Sequence, residues 1–301
     1  MFAPATKEQV KLRLALIGPS GSGKTYTALR IAAGLGERIA VIDTEHGSAS
    51  LYAGDPNPDG GVFRFDRCDL DDHSLDSYIR TIRAAGQAGY DVLIIDSLSH
   101  AWAGKGGALE EVDKVAAREA ARSNGRSNSY TAWRAVTPKH NELIDTILAS
   151  PCHIIGTMRA KTEYVQEKDD RGKTVIRKVG LAPVQRDGME YEFTLVGDVN
   201  VDHQLIVSKS RCAALADAVI DKPGAGLAAT LKAWLETGEK PVDPRIRKLL
   251  AAVAVAEGEV GPEVVAEVRE AEGLPEGVDA ETPEEVIVAY GKALRAAQEG
   301  A

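Results

Sequence analysis

Along the 301-residue chain, short apolar runs alternate with stretches whose apolar residues recur every three or four positions. The first run, Leu12 to Ile17, breaks off in a glycine-rich loop. Lys24 to Leu35 then carries helical periodicity through Ala28, Leu29, Ile31, Ala32 and Leu35 before stopping at Gly36. Further strands are predicted at Ile39–Asp43, Val62–Phe65, Val92–Asp96 and His153–Met158, with helices near 73–88, 107–122 and 137–149. Uniformly apolar strands separated by helices belong to a mostly parallel sheet covered on both faces, so the fold class is α/β.

After Lys161 the pattern changes. Thr162–Val179 predicts a charged hairpin turning at Asp170-Arg171-Gly172-Lys173, and Tyr191–Val199 and Gln204–Ser208 predict antiparallel strands closing the sheet edge. A helix near 227–236 ends at Gly238, and Glu239–Pro244 has the composition of a linker. Three short helices are expected over about 245–298, the last opening at Thr282-Pro283-Glu284-Glu285 with Thr282 as its cap. The expected organisation is a core, residues 1–240, with a short N-terminal tether, and a small acidic helical domain, residues 241–301.

Composition narrows the class. The chain is 44% hydrophobic and 27% charged, which suits a globular protein. It lacks an apolar run long enough for a membrane span and an N-terminal secretory pattern, so no membrane partner and a cytoplasmic location are expected. Cys68, Cys152 and Cys212 stand far apart, without metal-ligand spacing. Net charge is −9, but it is unevenly spread: from Pro241 onward there are 6 basic against 13 acidic residues, leaving 30 against 32 before it. A nearly neutral core can still meet a polyanion through local basic loops.

The loop after the first strand is Gly18-Pro19-Ser20-Gly21-Ser22-Gly23-Lys24-Thr25, the pattern GxxxxGK[ST] between a strand and a helix. Backbone N–H groups in such a loop cradle phosphates at a helix N-terminus. Lys24 would supply a point charge to the β/γ-phosphates and the Thr25 hydroxyl would ligate Mg²⁺, so ATP and Mg²⁺ are the expected cofactors. Asp96, closing its strand, is the candidate for the Mg²⁺-side carboxylate. Hydrolysis needs a base beside the γ-phosphate; Glu45, just past the strand Ile39–Asp43, and its rival Asp43 both lie at the right sheet edge.

These motifs resemble the RecA/RadA recombinases, and among them the phage Sak-type group of shortened RecA-like proteins of single-strand annealing and recombination. The resemblance covers about residues 1–237. Asp43-Thr44-Glu45-His46 is similar to the family's Asp-x-Glu-His, which implies Glu45 as the catalytic base. Tyr52 falls where the family stacks a tyrosine on adenine, and Leu93-Ile94-Ile95-Asp96-Ser97 matches the Mg²⁺-side strand. Lys209 and Arg211, in Val207-Ser208-Lys209-Ser210-Arg211, resemble the Lys-x-Lys element that reaches a neighbour's γ-phosphate, which implies self-assembly as an oligomer or filament. Phe2-Ala3-Pro4-Ala5 resembles the family's docking tether. Thr157 stands where the family places its ATP-sensing Gln. The implied setting is DNA recombination or repair, in a bacterial host's cytoplasm if the chain is phage-encoded.

Two segments leave the sheet edge that carries the phosphate loop. His100–Thr137 holds Lys105, Lys114, Arg118, Arg122, Arg126 and Arg134 with Tyr130 and Trp133 among them. Met158–Gly188 holds Arg159, Lys161, Lys168, Arg171, Lys173, Arg177, Lys178 and Arg186 against five acids. Cations for phosphates plus aromatic rings for bases suit single-stranded DNA. Lys114, Arg118 and Arg122 read better as a solvated helix face with Glu110, Glu111 and Glu119. That leaves Arg126, Trp133, Arg134, Lys168, Arg171, Lys173, Arg177 and Lys178 as the DNA-binding candidates. Three functions fit: a DNA-dependent ATPase assembling on single-stranded DNA, a hexameric helicase or packaging motor, and an accessory DNA-binding protein with a structural nucleotide. The acidic tail reads equally as a packed helical bundle or as a module for a single-strand-binding protein.

Overall fold

The computed structural model describes residues 7–122, 129–168, 174–240 and 242–299. They fall into two compact units, Val10–Thr237 and a second one that joins Lys7–Gln9 to the chain from Gly238 onward.

The first unit is a nine-stranded sheet with helices on both faces. Its parallel strands are β1 (Arg13–Gly18), β2 (Ile39–Asp43), β3 (Asp66–Asp69), β4 (Val92–Asp96), β5 (His153–Lys168) and β7 (Leu195–Val199). β6 (Thr174–Pro183) folds back on β5, while β8 (Gln204–Ser210) and β9 (Val219–Asp221) add antiparallel strands at one edge. The order across the sheet is β3-β2-β4-β5-β1-β7-β8-β9. Alternate residues of each central strand enter different cores. Leu14 and Leu16 pack with α1 (Lys24–Leu35) and α6 (Ala225–Leu235). Ala15 and Ile17 pack with α2 (Leu75–Gln87) and α5 (Ser129–Ala149). Burial on both faces is why these strands are apolar throughout.

The structure differs from the sequence expectation in several places. The ladder predicted at Val62–Phe65 forms instead at Asp66–Asp69, which is exposed and polar. Phe63 is buried, but its backbone bonds to Gly54 and Asp55 in a loop; an edge strand is fixed by its backbone partner and tolerates charge. Helix α5 begins at Ser129, not near 137, and carries Pro138 inside it. Burial of Ala132 and Val136 in the core outweighs the local signal to start at the proline. A short α3 (Ser99–Ala103) precedes α4 (Ala108–Arg122). Tyr191 lies in a 3₁₀ turn, so β7 starts only at Leu195.

In the second unit α7 (Pro244–Val260), α8 (Pro262–Ala271) and α9 (Glu284–Glu299) enclose Val253, Ala256, Ile287, Tyr290 and Leu294. Lys7–Gln9 belongs here: Glu8 pairs with Glu239, where the sequence placed the N-terminus with the core. The Thr282 hydroxyl bonds to Asp279 and Thr282 stands two residues before α9. Phe2-Ala3-Pro4-Ala5 lies outside the described residues. Among the described residues no helix is long and apolar enough to cross a membrane.

Candidate active site

Parallel strands send their C-terminal ends to one edge, where loops can converge on a ligand. Here β1 ends at Gly18, β2 at Asp43 and β4 at Asp96, and between them opens a cleft of about 1090 Å³. Its floor is the phosphate loop. Gly21 and Gly23 adopt φ of 79° and 86°, left-handed values that side chains rarely accept. Gly23 leads directly into α1, whose first N–H groups face the cleft end. The Lys24 ammonium donates to the Pro19 carbonyl at 2.8 Å. Burial pulls its pKa below the usual lysine value, opposed by the carboxylates of Asp96 and Glu45.

The Asp96 carboxylate is 2% exposed. Thr25 donates to its Oδ2 at 2.6 Å and Thr157 to its Oδ1 at 2.5 Å. Burial raises its pKa, and the two hydroxyls work against that shift by bonding the charged form. The pair Thr25–Asp96, one hydroxyl and one carboxylate at a phosphate loop, is an oxygen donor set suited to Mg²⁺. Thr157, within β5 opposite Leu16 of β1, is therefore spent on the carboxylate.

Glu45 and Asp43 separate cleanly. Asp43 is buried; its Oδ1 accepts the Glu45 N–H at 2.7 Å and its Oδ2 the Ala49 N–H at 3.4 Å. Glu45 instead lines the cleft, where Arg159 Nε and Nη2 both donate to its Oε1, at 3.0 and 2.9 Å. Tyr52 also lines the cleft, tilted against Tyr26 with ring centroids 5.3 Å apart. Arg159, Tyr26, Arg30, His203 and Lys222 also line the cleft, none of which the local sequence assigned to it. His203 Nδ1 lies 3.0 Å from the Ser22 carbonyl and so braces the phosphate loop from β8's side.

A family model described as an AAA domain matches residues 10–218. The chain belongs to this AAA domain family. The match takes in the phosphate loop, Glu45, Asp96 and β1 to β8, so the first unit is an AAA-type P-loop ATPase domain. Among curated proteins, no match to the chain was found.

Among the described residues, the other sequence candidates are not part of the cleft lining. The Lys209 ammonium donates to the Glu190 carbonyl at 3.2 Å and to that of Tyr191. Neither Lys209 nor Arg211 is among the described residues lining the cleft. Lys114 pairs with Glu110 at 2.8 Å and Arg118 with Glu111 at 3.9 Å, as expected of a solvated helix face. Trp133 is half-buried and stacks on Trp102, while Arg134 is exposed. Arg126, Arg171 and Lys173 lie outside the described residues, as do the side chains of Lys168, Arg177 and Lys178.

Proposed function

We propose that the chain is a single-stranded-DNA-dependent ATPase of the recombination and annealing kind, working as an oligomer or filament with ATP at the junctions between copies. The observation that carries the reading is the convergence of Lys24, the Thr25–Asp96 pair and Glu45 on one cleft.

The Gly21–Gly23 backbone and Lys24 would hold the β- and γ-phosphates, and Tyr52 would pack on the base. Thr25 and Asp96 would hold Mg²⁺, which when bound neutralises charge building on the phosphate oxygens. Glu45 orients and deprotonates the attacking water; Asp43 cannot, because its oxygens already accept backbone N–H groups. Arg159 positions the Glu45 carboxylate and restrains it until phosphate oxygens compete for the guanidinium. Lys209 and Arg211 act across the junction, on the neighbour's γ-phosphate. The hairpin β5–β6, which begins directly beyond Arg159, would carry the DNA contacts.

Steady-state ATP hydrolysis, measured with and without single-stranded DNA over a range of salt, tests the reading. Turnover is expected to rise with DNA, and the stimulation to fade as salt rises. Glu45→Gln is expected to keep ATP affinity and lose roughly 10²–10⁴ in turnover. Wild-type turnover in that variant would remove Glu45 from the mechanism, and indifference to DNA would remove the DNA-dependence.

A further inference from the structure

Between the strand ends that carry Glu45 and Asp96 runs a bridge made by one hydroxyl. Thr44 follows β2 directly, stands next to Glu45 and is 3% exposed. Its Oγ1 accepts the Ser97 N–H at 2.8 Å and lies 3.0 Å from the Asp96 carbonyl. Its own N–H donates to that same carbonyl at 2.7 Å. The end of β2 is thereby tied to the end of β4.

Among the described residues the closest partner of this hydroxyl belongs to neither strand. His100 of α3 places its Nδ1 2.7 Å from Thr44 Oγ1. Burial, with the charges of Arg159 and His73, holds the His100 pKa below its ordinary value of 6.5, which keeps the ring neutral at pH 7. One tautomer satisfies every group. Nδ1–H donates to Thr44, Thr44 donates to the Asp96 carbonyl, and the hydroxyl's second lone pair keeps the Ser97 N–H. His73 fixes the plane of the ring, stacked on it with centroids 4.8 Å apart and planes 14° from parallel.

The two residues before His100 grip the opposite side of the site. The Leu98 N–H donates to the Thr157 carbonyl at 2.9 Å, and Ser99 Oγ accepts the Arg159 N–H at 2.9 Å. Leu98, Ser99 and His100 therefore reach β5 and the end of β2 at once. They do so at Arg159 and beside Glu45, the two members of the ion pair in the cleft.

We propose that His100 is a positioning residue for ATP hydrolysis: by fixing the Thr44 hydroxyl it holds Glu45 in register with Asp96 and Arg159. A reacting group misplaced by about 1 Å can cost about 10²-fold in rate. The loss falls on turnover rather than on ATP affinity, because the phosphates are gripped from the loop between β1 and α1, outside this network. The proposal rests on Glu45 as the base in the function proposed above, and on nothing about nucleic acid.

The test compares three full-length variants. His100→Phe keeps a ring on His73 and removes Nδ1; an Asn amide reaches the place of Nδ1, and a Gln amide the place of Nε2. The kcat and KM for ATP are measured with Mg²⁺, with kcat referred to the sites that bind a fluorescent ATP analogue, so that misfolded protein is not counted. His100→Phe is expected to lower kcat at least about fivefold and to change KM less than about twofold. His100→Asn is expected to recover most of the loss, and His100→Gln little of it. Thr44→Val should lose as much as His100→Phe, and the double variant little more than either. In a Glu45→Gln background, slow single-turnover hydrolysis should be indifferent to His100→Phe, since the group being positioned is gone. A smaller loss in His100→Phe, equal rescue by Gln and Asn, or the full loss persisting in Glu45→Gln each overturns the proposal. Wild-type turnover in Glu45→Gln alone would remove the base assignment and this proposal with it. A slow Glu45→Gln beside a fully active His100→Phe would remove this proposal only.

Discussion

Arg13 in the ATPase unit and Arg269 in the second unit each tie together segments far apart in sequence, and they do so in opposite surroundings. Arg13 is 4% exposed and has no carboxylate partner among the described residues. Its guanidinium donates to four carbonyls: Leu12 and Cys152 at 2.8 Å, Leu148 at 2.8 Å and Ser150 at 2.5 Å. Leu148 belongs to the last turn of α5 and Ser150 follows directly after it, where carbonyls lack helical partners and a cation is favoured. Arg269 instead sits 31% exposed in an ion pair with Glu257 at 2.8 Å, with the Tyr290 hydroxyl closing the triangle. The difference matters because a buried charge satisfied by carbonyls cannot be removed without orphaning them, whereas a half-exposed ion pair exchanges with water.

The largest effect is expected from Arg13→Met, which keeps the volume and removes the donors. Each orphaned buried carbonyl costs about 1–3 kcal/mol before relaxation, so a loss of about 3 kcal/mol or more is expected. In a unit of this size that lowers the melting temperature by roughly 6–12 °C. All three tryptophans lie in the ATPase unit, so their emission reports its unfolding alone. A melt unchanged by Arg13→Met would mean that the four carbonyls find other donors, and the contrast with Arg269 would disappear.

Arg13 also shows where sequence reading stops. In the run Leu12 to Ile17 it looks like a charge interrupting a strand, because three of its four carbonyl partners stand 135 to 139 residues away. The phosphate loop was readable because all its parts are consecutive. Glu45 and Asp96 were readable because a strand end fixes a residue at the sheet edge without knowledge of the strand order. Arg159 and His203 were not, since the cleft acquires them only once β5 lies between β4 and β1 and β8 folds beside β7. The stacked indoles failed for the same reason: Trp102 and Trp133 are brought together by α5 packing beside α3 and α4. β9, three residues with exposed Val219 and Asp221, offered no periodicity to detect.

A smaller effect separates the units by pH. The Leu12 N–H donates to His153 Nδ1 at 3.0 Å, so that nitrogen must stay unprotonated. Burial, aided by the charges of Lys11 and Arg13, pulls the His153 pKa from 6.5 down to about 4. Between these values the unfolded chain holds the proton and the folded chain does not. Stability from this group is therefore complete above about pH 6.5 and is lost as pH falls toward 4. The half-buried His73 and His100 and the buried His140 are shifted in the same direction, by burial first. The urea midpoint followed by tryptophan emission is expected to fall from pH 6.5 to 4.5, and less steeply in His153→Gln. Equal slopes in the two proteins would show that His153 titrates normally in the folded state.

The smallest effect belongs to the second unit, and its sign in pH is set by a carboxylate. Burial works to raise the Glu257 pKa, but the Tyr290 hydroxyl and the Arg269 guanidinium outweigh it and hold the group below its ordinary value of 4.5. A depressed carboxylate contributes stability above its unfolded pKa and loses it as pH falls through the folded one. The second unit should therefore hold steady across pH 6.5 to 4.5, where the ATPase unit weakens, and lose ground only below. Arg269→Ala is expected to cost about 1 kcal/mol or less, because water and salt reach the pair. Raising the salt to 1 M, which shortens screening to about 3 Å, should shrink even that difference. Far-UV circular dichroism melts at low and high salt measure it, since the helices of the second unit contribute ellipticity but no tryptophan signal. A loss as large as that of Arg13→Met, insensitive to salt, would show that the Arg269 triangle is sealed from solvent and that the two units are built alike.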